Sequence, residues 1–222
     1  MTALSSWTGV SGSRDLVLAA RRAGVQDARI LDALAVVDRA AFVPSEHAAI
    51  ANRDVPIPIP HGQVTTQPSL IARMVDGLAL TGDERVLEVG TGYGYQTALL
   101  ARLGGEVHSV ERWADLTAAA RASLAAAGVA NVELVVDDGG EGLRHAAPYQ
   151  AIVVSAAFPE VPAPLIEQLA VGGRLVQPIG HGGHDRVMLF GKRPDGQLEE
   201  RRVLTGAHFV RLYGRHGFRT CR

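Results

Sequence analysis

The hydrophobic pattern at the start of the chain is helical. Apolar residues recur at helical spacing from about Asp15 to Ala23. A second run begins at Asp27, whose carboxylate suits a helix N-cap, and continues to about Val37. We therefore expect two amphipathic helices before the first loop.

The periodicity breaks between Phe42 and Pro68, where five prolines interrupt the chain. Proline fixes φ and removes an amide donor, so this pattern predicts an extended loop. Loops of this length within a compact domain usually serve a function. We therefore expect this loop to have a functional role.

From Ser69 onward, short β-branched runs alternate with helical patterns, which is typical of stacked βαβ units and a parallel sheet. The predicted strands are 85–89, 106–111, 132–136, 151–155 and 174–178. The predicted helices are 69–78, 95–103, 114–127 and 163–169. Two later apolar runs, 187–191 and 198–204, flank the turn signal Pro194-Asp195-Gly196 and predict an antiparallel hairpin. The fold class is therefore α/β and Rossmann-like. One domain is expected, with N-terminal helices and lid (1–68), a cofactor-binding core (69–180) and C-terminal antiparallel strands (181–222).

Composition narrows the function classes. The chain has 47% hydrophobic residues, 20% charged residues and a net charge of −1. It therefore has no excess of positive charge with which to attract a nucleic-acid backbone. No apolar run is long enough for a membrane helix, and the N-terminus does not resemble a secretion signal. The single cysteine, Cys221, excludes an intramolecular disulfide. We expect a cytoplasmic protein with no nucleic-acid or membrane partner.

The segment VLEVGTGYGYQTALLA, residues 86–101, contains a strand, a glycine-rich turn and a helix in succession. Gly90, Gly92 and Gly94 allow a tight turn and close approach of a ligand. A dinucleotide fingerprint would place its third glycine at position 95, where this chain has Tyr95. The spacing favours a mononucleoside cofactor.

Acidic residues follow at the ends of the predicted strands. Glu111 ends the second strand, where a carboxylate can accept both ribose hydroxyls of a nucleoside. Asp138 follows the third strand and is a candidate acceptor for an adenine amino group. Glu88, within the first strand, is expected to cap the loop amides or to contact the methionine amine of the cofactor.

Several segments together resemble the protein-L-isoaspartate (D-aspartate) O-methyltransferase family, from about Asp38 to the end of the chain. The resembling segments are AFVP (41–44), HGQVTTQPSL (61–70), VLEVGTGYGYQTALLA (86–101), VHSVER (107–112) and the run 148–180. The resemblance implies S-adenosyl-L-methionine as cofactor and a Rossmann-like class I methyltransferase fold. The full predicted cofactor set is Glu88, Gly90, Thr91, Gly92, Gly94, Gln96, Glu111, Arg112, Asp138, Gly139 and Ala156.

The family's signature loop is usually G-Q-T-I-S-Q-P, and its serine hydroxyl lies between the methyl donor and the substrate carboxylate. Thr66 takes that position here, so the resemblance implies Thr66 as the catalytic hydroxyl. It also implies that the part from Asp54 to Pro68 acts as a lid on the substrate side, and that the loop contacts substrate through His61, Gln63, Thr65 and Gln67. The departures from the family pattern are Asn52, Pro60, Asp137, Gln150 and Arg211.

The expected reaction is methylation of an L-isoaspartyl or D-aspartyl carboxylate in damaged proteins, which begins repair through a methyl ester and a succinimide. An alternative is modification of an aspartate in a dedicated peptide, or of a small-molecule carboxylate. His181 and His184 lie in a glycine-rich turn without a carboxylate triplet, so no metal site is predicted. The expected partner is a peptide or protein substrate, and the protein is expected to be a monomer.

Overall fold

The computed structural model describes residues 13–219. The predictions about Cys221 and about the absence of a secretion signal in the first residues concern positions outside this range. Both predicted N-terminal helices are present, as α1 (Ser13–Arg22) and α2 (Ala28–Val36). The Asp27 carboxylate accepts the Arg29 amide, which confirms Asp27 as the N-cap of α2.

The segment from Phe42 to Pro68 is more structured than the predicted extended loop. It contains the end of one 3-10 helix (Arg39–Phe42) and a second 3-10 helix (Ser45–Ile50). Two short antiparallel strands follow, β1 (Pro58–Ile59) and β2 (Gln63–Val64). The prediction of an extended loop was wrong at these places because proline is compatible with a helix start and with the edge of a two-stranded sheet.

The remainder forms an α/β domain core as predicted. Its helices are α3 (Pro68–Leu78), α4 (Tyr95–Leu103), α5 (Ala114–Ala126) and α6 (Ala163–Gln168), with short 3-10 helices at Gly139–Glu141 and Arg144–Ala146. Its strands are β3 (Arg85–Val89), β4 (Glu106–Glu111), β5 (Val132–Val136), β6 (Tyr149–Val154), β7 (Leu169–Ile179), β8 (Asp185–Lys192) and β9 (Leu198–Ala207).

These seven strands form one sheet in the order β5-β4-β3-β6-β7-β8-β9. The first five strands in that order pair in parallel, and β8 and β9 complete the sheet antiparallel, as predicted. The order reverses at β3, whose neighbours are β4 and β6. In open α/β sheets, ligands bind beyond the carboxyl ends of the strands at such a point.

The strand β7 is longer than the pattern predicted. It begins at Leu169 instead of 174, and the preceding helix ends one residue before it. Gly172 has φ 77° and lies in an irregular part of the pairing with β6. The strand continues through this irregularity.

The sheet is covered on both faces. Val86 and Val153 belong to the cluster under the N-terminal helices, α3 and α4, while Leu87 and Ile152 point into a cluster on the other face. This explains the nearly continuous apolar runs of the central strands. Among the helices between residues 13 and 219, none has both the length and the apolar character needed to cross a membrane.

Candidate active site

The glycine-rich turn connects β3 to α4. Gly90, Gly92 and Gly94 all have positive φ, at 99°, 55° and 90°. The Gly90 amide donates to the carbonyl of Val110 in β4, which holds the turn against the neighbouring strand. A Cβ atom at Gly90 would lie 3.3 Å from the Cβ of Ser155, so this position favours a residue without a side chain.

A cleft opens above this turn, at the carboxyl ends of β3, β4 and β6. Most of the predicted site residues line it: Gln63, Thr65, Thr66, Gly90, Thr91, Gly92, Gln96, Glu111, Arg112, Gly139 and Ala156. The other predicted residues, which lie outside its lining, are His61, Gln67, Glu88, Gly94 and Asp138.

Glu111 lies at the end of β4 with its carboxylate at the cleft edge. It is 7% exposed, and it accepts the amides of Gly92 at 3.0 Å and Trp113 at 3.1 Å. These bonds fix the carboxylate beside the glycine-rich turn, and each oxygen retains a lone pair. The position is suited to a ligand with two adjacent hydroxyl groups.

Glu88 lies beneath the cleft and is fully buried. Its carboxylate accepts hydrogen bonds from Gln96 at 2.9 Å, Thr97 at 2.5 Å and Ser109 at 2.6 Å. Burial raises the pKa of Glu88 to about 7, although these hydrogen bonds favour the charged form. The expectation that Glu88 caps the loop amides was wrong, because side chains of α4 and β4 occupy its oxygens. The alternative, a contact with the methionine amine of the cofactor, stays a prediction.

Gln96 connects this buried network to the cleft. Its amide nitrogen donates to Glu88 and, at 3.1 Å, to the hydroxyl of Ser155 at the end of β6. Thr91 joins the same network through a 2.6 Å contact with Ser109. The network therefore fixes the orientation of cleft-lining side chains from below.

Asp138 and Gly94 have structural contacts outside the cleft. The Asp138 carboxylate accepts the amides of Gly140 at 2.9 Å and Arg215 at 2.6 Å, so it ties the C-terminal segment to the loop after β5. Gly94 packs closely against α5, since a Cβ atom added at Gly94 would lie 3.3 Å from the Cβ of Ala120. Each Asp138 oxygen accepts one backbone amide and retains a lone pair, so the contact of Asp138 with an adenine amino group stays a prediction.

The two threonines of the signature loop differ in their contacts. The Thr65 hydroxyl accepts Arg39 Nη2 at 2.9 Å and the Ile57 amide at 3.0 Å. The Thr66 hydroxyl has no hydrogen-bond partner among residues 13–219, and Thr66 borders both the cleft and an adjoining groove. Thr65 therefore supports the loop, whereas Thr66 lines the cleft and the groove with a hydroxyl that is not used in these contacts.

Arg39 organises this loop from a fully buried position. Its guanidinium donates to the carbonyls of Ala51, Arg53 and Val55 at 2.9 to 3.0 Å, in addition to Thr65. Burial lowers the pKa of Arg39 to about 10. No residue pattern indicates this role, because the acceptors are backbone carbonyls.

His61 and Gln67 hold the lid instead of lining the cleft. The His61 ring stacks on Trp113 at 3.8 Å, and its Nε2 lies 2.9 Å from Asp115 at the start of α5. Gln67 donates to Asp54 at 2.8 Å and borders the adjoining groove. His61 thus connects the β1–β2 hairpin to Trp113 and to the start of α5, and the predicted contact of His61 and Gln67 with substrate stays a prediction.

Other cleft residues escaped sequence analysis, notably Ser155, Trp113 and the segment 210–213. Arg112 lies over the rings of Trp113 at 5.0 Å and Tyr213 at 5.6 Å. The C-terminal segment is held by hydrogen bonds between Ala157 and both Val210 and Leu212. Ser155 could have been predicted in the same way as Glu111, because it is also a polar residue at the carboxyl end of a parallel strand.

The cleft contains polar atoms that are ready for a ligand. In the described part of the chain, Gln96 Oε1, Trp113 Nε1 and the Tyr95 hydroxyl are buried without a hydrogen-bond partner, and all three residues line the cleft. Buried polar atoms without a partner are costly, so a bound molecule that satisfies them is favoured. This cleft is the candidate active site.

The sheet order, the glycine-rich turn and the acidic end of β4 define a Rossmann-like nucleoside-binding class. A family model described as protein-L-isoaspartate(D-aspartate) O-methyltransferase matches residues 11–217. A protein-L-isoaspartate O-methyltransferase of Anaeromyxobacter dehalogenans (strain 2CP-C) is 49% identical over 201 residues, covering 90% of this chain and 96% of the relative. The chain belongs to this family, which confirms the resemblance identified from the sequence.

Solved structures agree with this assignment. A protein-L-isoaspartate O-methyltransferase structure has a TM-score of 0.79 and 27% identity, over 92% of this chain and 67% of that one. A Plasmodium falciparum structure in complex with S-adenosyl-L-homocysteine has a TM-score of 0.76 and 20% identity, over 91% and 98% of the two chains. The predicted class I methyltransferase fold is confirmed.

Proposed function

We propose that this chain transfers a methyl group from S-adenosyl-L-methionine to the free carboxylate of L-isoaspartyl or D-aspartyl residues in damaged proteins. Family membership supports the reaction class. The observation that carries the proposal within the structure is the unpartnered hydroxyl of Thr66, which borders both the nucleoside cleft and the adjoining groove. A residue at this junction can contact donor and acceptor together.

The residues of the cleft fit S-adenosyl-L-methionine. Glu111, which holds the Gly92 amide, can accept the ribose hydroxyls, and the positive φ of Gly90 and Gly92 supports close approach of the ligand to the chain. The free Gln96 Oε1 can accept from an amine, and the ring of Trp113 offers an apolar wall with an N–H donor. When bound, the cofactor supplies an electrophilic methyl group on a sulfonium.

The groove beyond Thr66 fits an extended acceptor chain. It is lined by Thr66, Gln67, Ser69, Arg73 and the segment 205–210. A carboxylate of ordinary pKa, about 4, is already ionised near neutral pH, so its attack needs no general base. The chain's task is to hold the carboxylate oxygen close to the methyl carbon and to exclude water. Thr66 donates to that carboxylate, and the β1–β2 hairpin covers the site.

The decisive experiment compares two peptides that differ only in the linkage of one aspartate. Both are incubated with the full chain and methyl-labelled S-adenosyl-L-methionine, and base-labile label on the peptide is counted. We expect labelling of the isoaspartyl peptide and little of the aspartyl peptide. Equal labelling, or preference for the aspartyl peptide, would favour modification of ordinary aspartate. Cofactor binding without labelling of either peptide would point to a different acceptor.

A further inference from the structure

A cluster of two histidines and a glutamate lies on the face of the sheet away from the N-terminal helices. His108 is in β4, Glu133 is its direct register partner in β5, and His145 is in the 3-10 helix Arg144–Ala146. His108 Nδ1 lies 2.8 Å from Glu133 Oε2, and His145 Nε2 lies 3.2 Å from the same oxygen. One candidate ligand atom from each of the three residues lies within 4.8 Å of the others.

The His108 side chain is buried between two carboxylates. The ring is 4% exposed, and its Nε2 has no hydrogen-bond partner among the described residues. That atom lies 3.5 Å from Glu106 Oε1, so both ring nitrogens face carboxylates. With the N–H on Nε2 directed at Glu106, the lone pair of Nδ1 and the Glu133 carboxylate can bind a cation together.

We propose that His108, Glu133 and His145 bind a divalent transition-metal ion of the zinc class. Two imidazoles and a carboxylate are a ligand set that zinc uses, at metal–ligand distances of about 2.0 to 2.2 Å. Tetrahedral ligands at those distances are roughly 3.3 Å apart, and the two contacts of Glu133 Oε2, at 2.8 and 3.2 Å, are close to that separation. The three ligands leave one coordination position, which water can fill on the exposed side.

Glu106 has the place of an outer carboxylate in this site. Metal-bound histidines commonly direct their second nitrogen at a carboxylate, which sets the tautomer and the ring orientation. Glu106 faces His108 Nε2, and its other oxygen pairs with Arg85 at 3.0 Å. The bound ion connects β4, edge strand β5 and the segment 144–146 on one side of the core.

Zinc titration of the chelator-treated full chain tests this site. Isothermal titration calorimetry with zinc chloride should show one saturable site. We expect His145→Ala and Glu133→Gln to weaken it at least about tenfold, since even outer partners have effects of that size. Both side chains are largely exposed, at 58% and 46%, so the variants should fold. His108 is left unchanged because it is buried.

Two matched controls separate this site from adventitious zinc binding. His184→Gln removes a histidine that lies near His208, with ring centroids 4.3 Å apart, and Cys221→Ser removes the only thiol. Both control variants should still bind zinc at this site. When cobalt(II) is bound in place of zinc, both should also show its visible absorption, which His145→Ala should lose. Absence of saturable binding, or binding that His145→Ala leaves unchanged, would overturn the proposal.

Discussion

The neighbours Thr65 and Thr66 show how one residue type takes two roles one position apart. Thr65 turns its hydroxyl inward to Arg39 and to the Ile57 amide. Thr66 lines the junction between cleft and groove. Replacing each by valine, which has nearly the same shape, therefore removes a hydroxyl from a different task.

Thr66→Val should lower turnover of an isoaspartyl peptide. Loss of a hydrogen bond to a charged group costs about 1.5 to 3 kcal/mol, equivalent to roughly a 10- to 150-fold decrease in kcat. Thr66→Ser, which keeps the hydroxyl, should retain most of the activity. The measurement is steady-state methylation with calorimetric titration of S-adenosyl-L-homocysteine. Full turnover in Thr66→Val with unchanged cofactor affinity would remove Thr66 from the mechanism.

Thr65→Val should instead act on the folded state. Two donors, Arg39 Nη2 and the Ile57 amide, lose their acceptor, and a buried unsatisfied donor costs about 1 to 3 kcal/mol. Chemical denaturation should show the loss in the free energy of unfolding. An unchanged free energy of unfolding, with activity reduced as in Thr66→Val, would contradict the division of roles.

The raised pKa of Glu88 predicts that the free energy of unfolding depends on pH. Its pKa is raised from 4.5 in the unfolded chain to about 7 in the folded protein, mainly by burial. Between these values the folded state binds more protons, so the free energy of unfolding falls as pH rises. The decrease from this group amounts to roughly 3 kcal/mol. Denaturant titrations of the ligand-free protein between pH 4.5 and 7.5 measure it.

Glu88→Gln should flatten this dependence. The neutral amide keeps one acceptor oxygen, and the hydroxyls of Thr97 and Ser109 can rotate to accept from its nitrogen. We therefore expect the variant to lose less stability than the parent between pH 5 and 7. Glu106→Gln, at an exposed carboxylate, serves as the control and should leave the Glu88 contribution in place. Parallel pH profiles for Glu88→Gln and the parent would show that Glu88 does not titrate in this range.

At the scale of elements, the buried guanidinium of Arg39 holds the lid, residues 54–68, in position. Arg39 bonds to three carbonyls between Ala51 and Val55 and to Thr65, so it connects the second 3-10 helix region with the signature loop. A guanidinium distributes several donors over a rigid plane, which a single ammonium cannot reproduce. The lid is thus preorganised by Arg39 before any ligand binds.

Arg39→Lys should lower the free energy of unfolding by about 2 to 4 kcal/mol, because some of the buried carbonyls lose their donors. Arg53→Lys is the matched control: its side chain is exposed, and Arg39 contacts only its carbonyl. Chemical denaturation measures both, and peptide KM should rise for Arg39→Lys alone. Equal stability of the two variants would show that the lysine side chain suffices.

The sequence predicted elements where the signal was local. The strand, glycine turn and helix of residues 85–103 lie consecutively along the chain, and β-branched runs mark the strands. The contacts of Arg39 were not predictable, because backbone carbonyls give no residue pattern. The same limit applies to Asp138, whose partners are the amides of Gly140 and Arg215. His108 and Glu133 meet only through the register of two strands.

At the scale of the whole molecule, the cleft joins three distant parts of the chain. One wall comes from the β1–β2 hairpin, the floor from the ends of β3, β4 and β6, and the last wall from segment 210–213. The parallel order made the floor predictable, since strand ends meet at the switch point. The return of the C-terminal segment to Ala157 was not, because it depends on backbone hydrogen bonds beyond the last strand.

A ligand bound by all three parts should stabilise the whole domain. S-adenosyl-L-homocysteine at about 100 times its Kd adds roughly 2.7 kcal/mol to the free energy of unfolding, which corresponds to a rise in Tm of about 5 to 10 °C for a domain of this size. Scanning calorimetry measures the shift. Glu111→Gln should reduce it at the same ligand concentration, because the amide nitrogen cannot accept a ribose hydroxyl. NAD, whose pyrophosphate does not suit the G-x-G-x-G turn, should give no shift. A shift with NAD, or one unaffected by Glu111→Gln, would contradict the assigned orientation of the nucleoside.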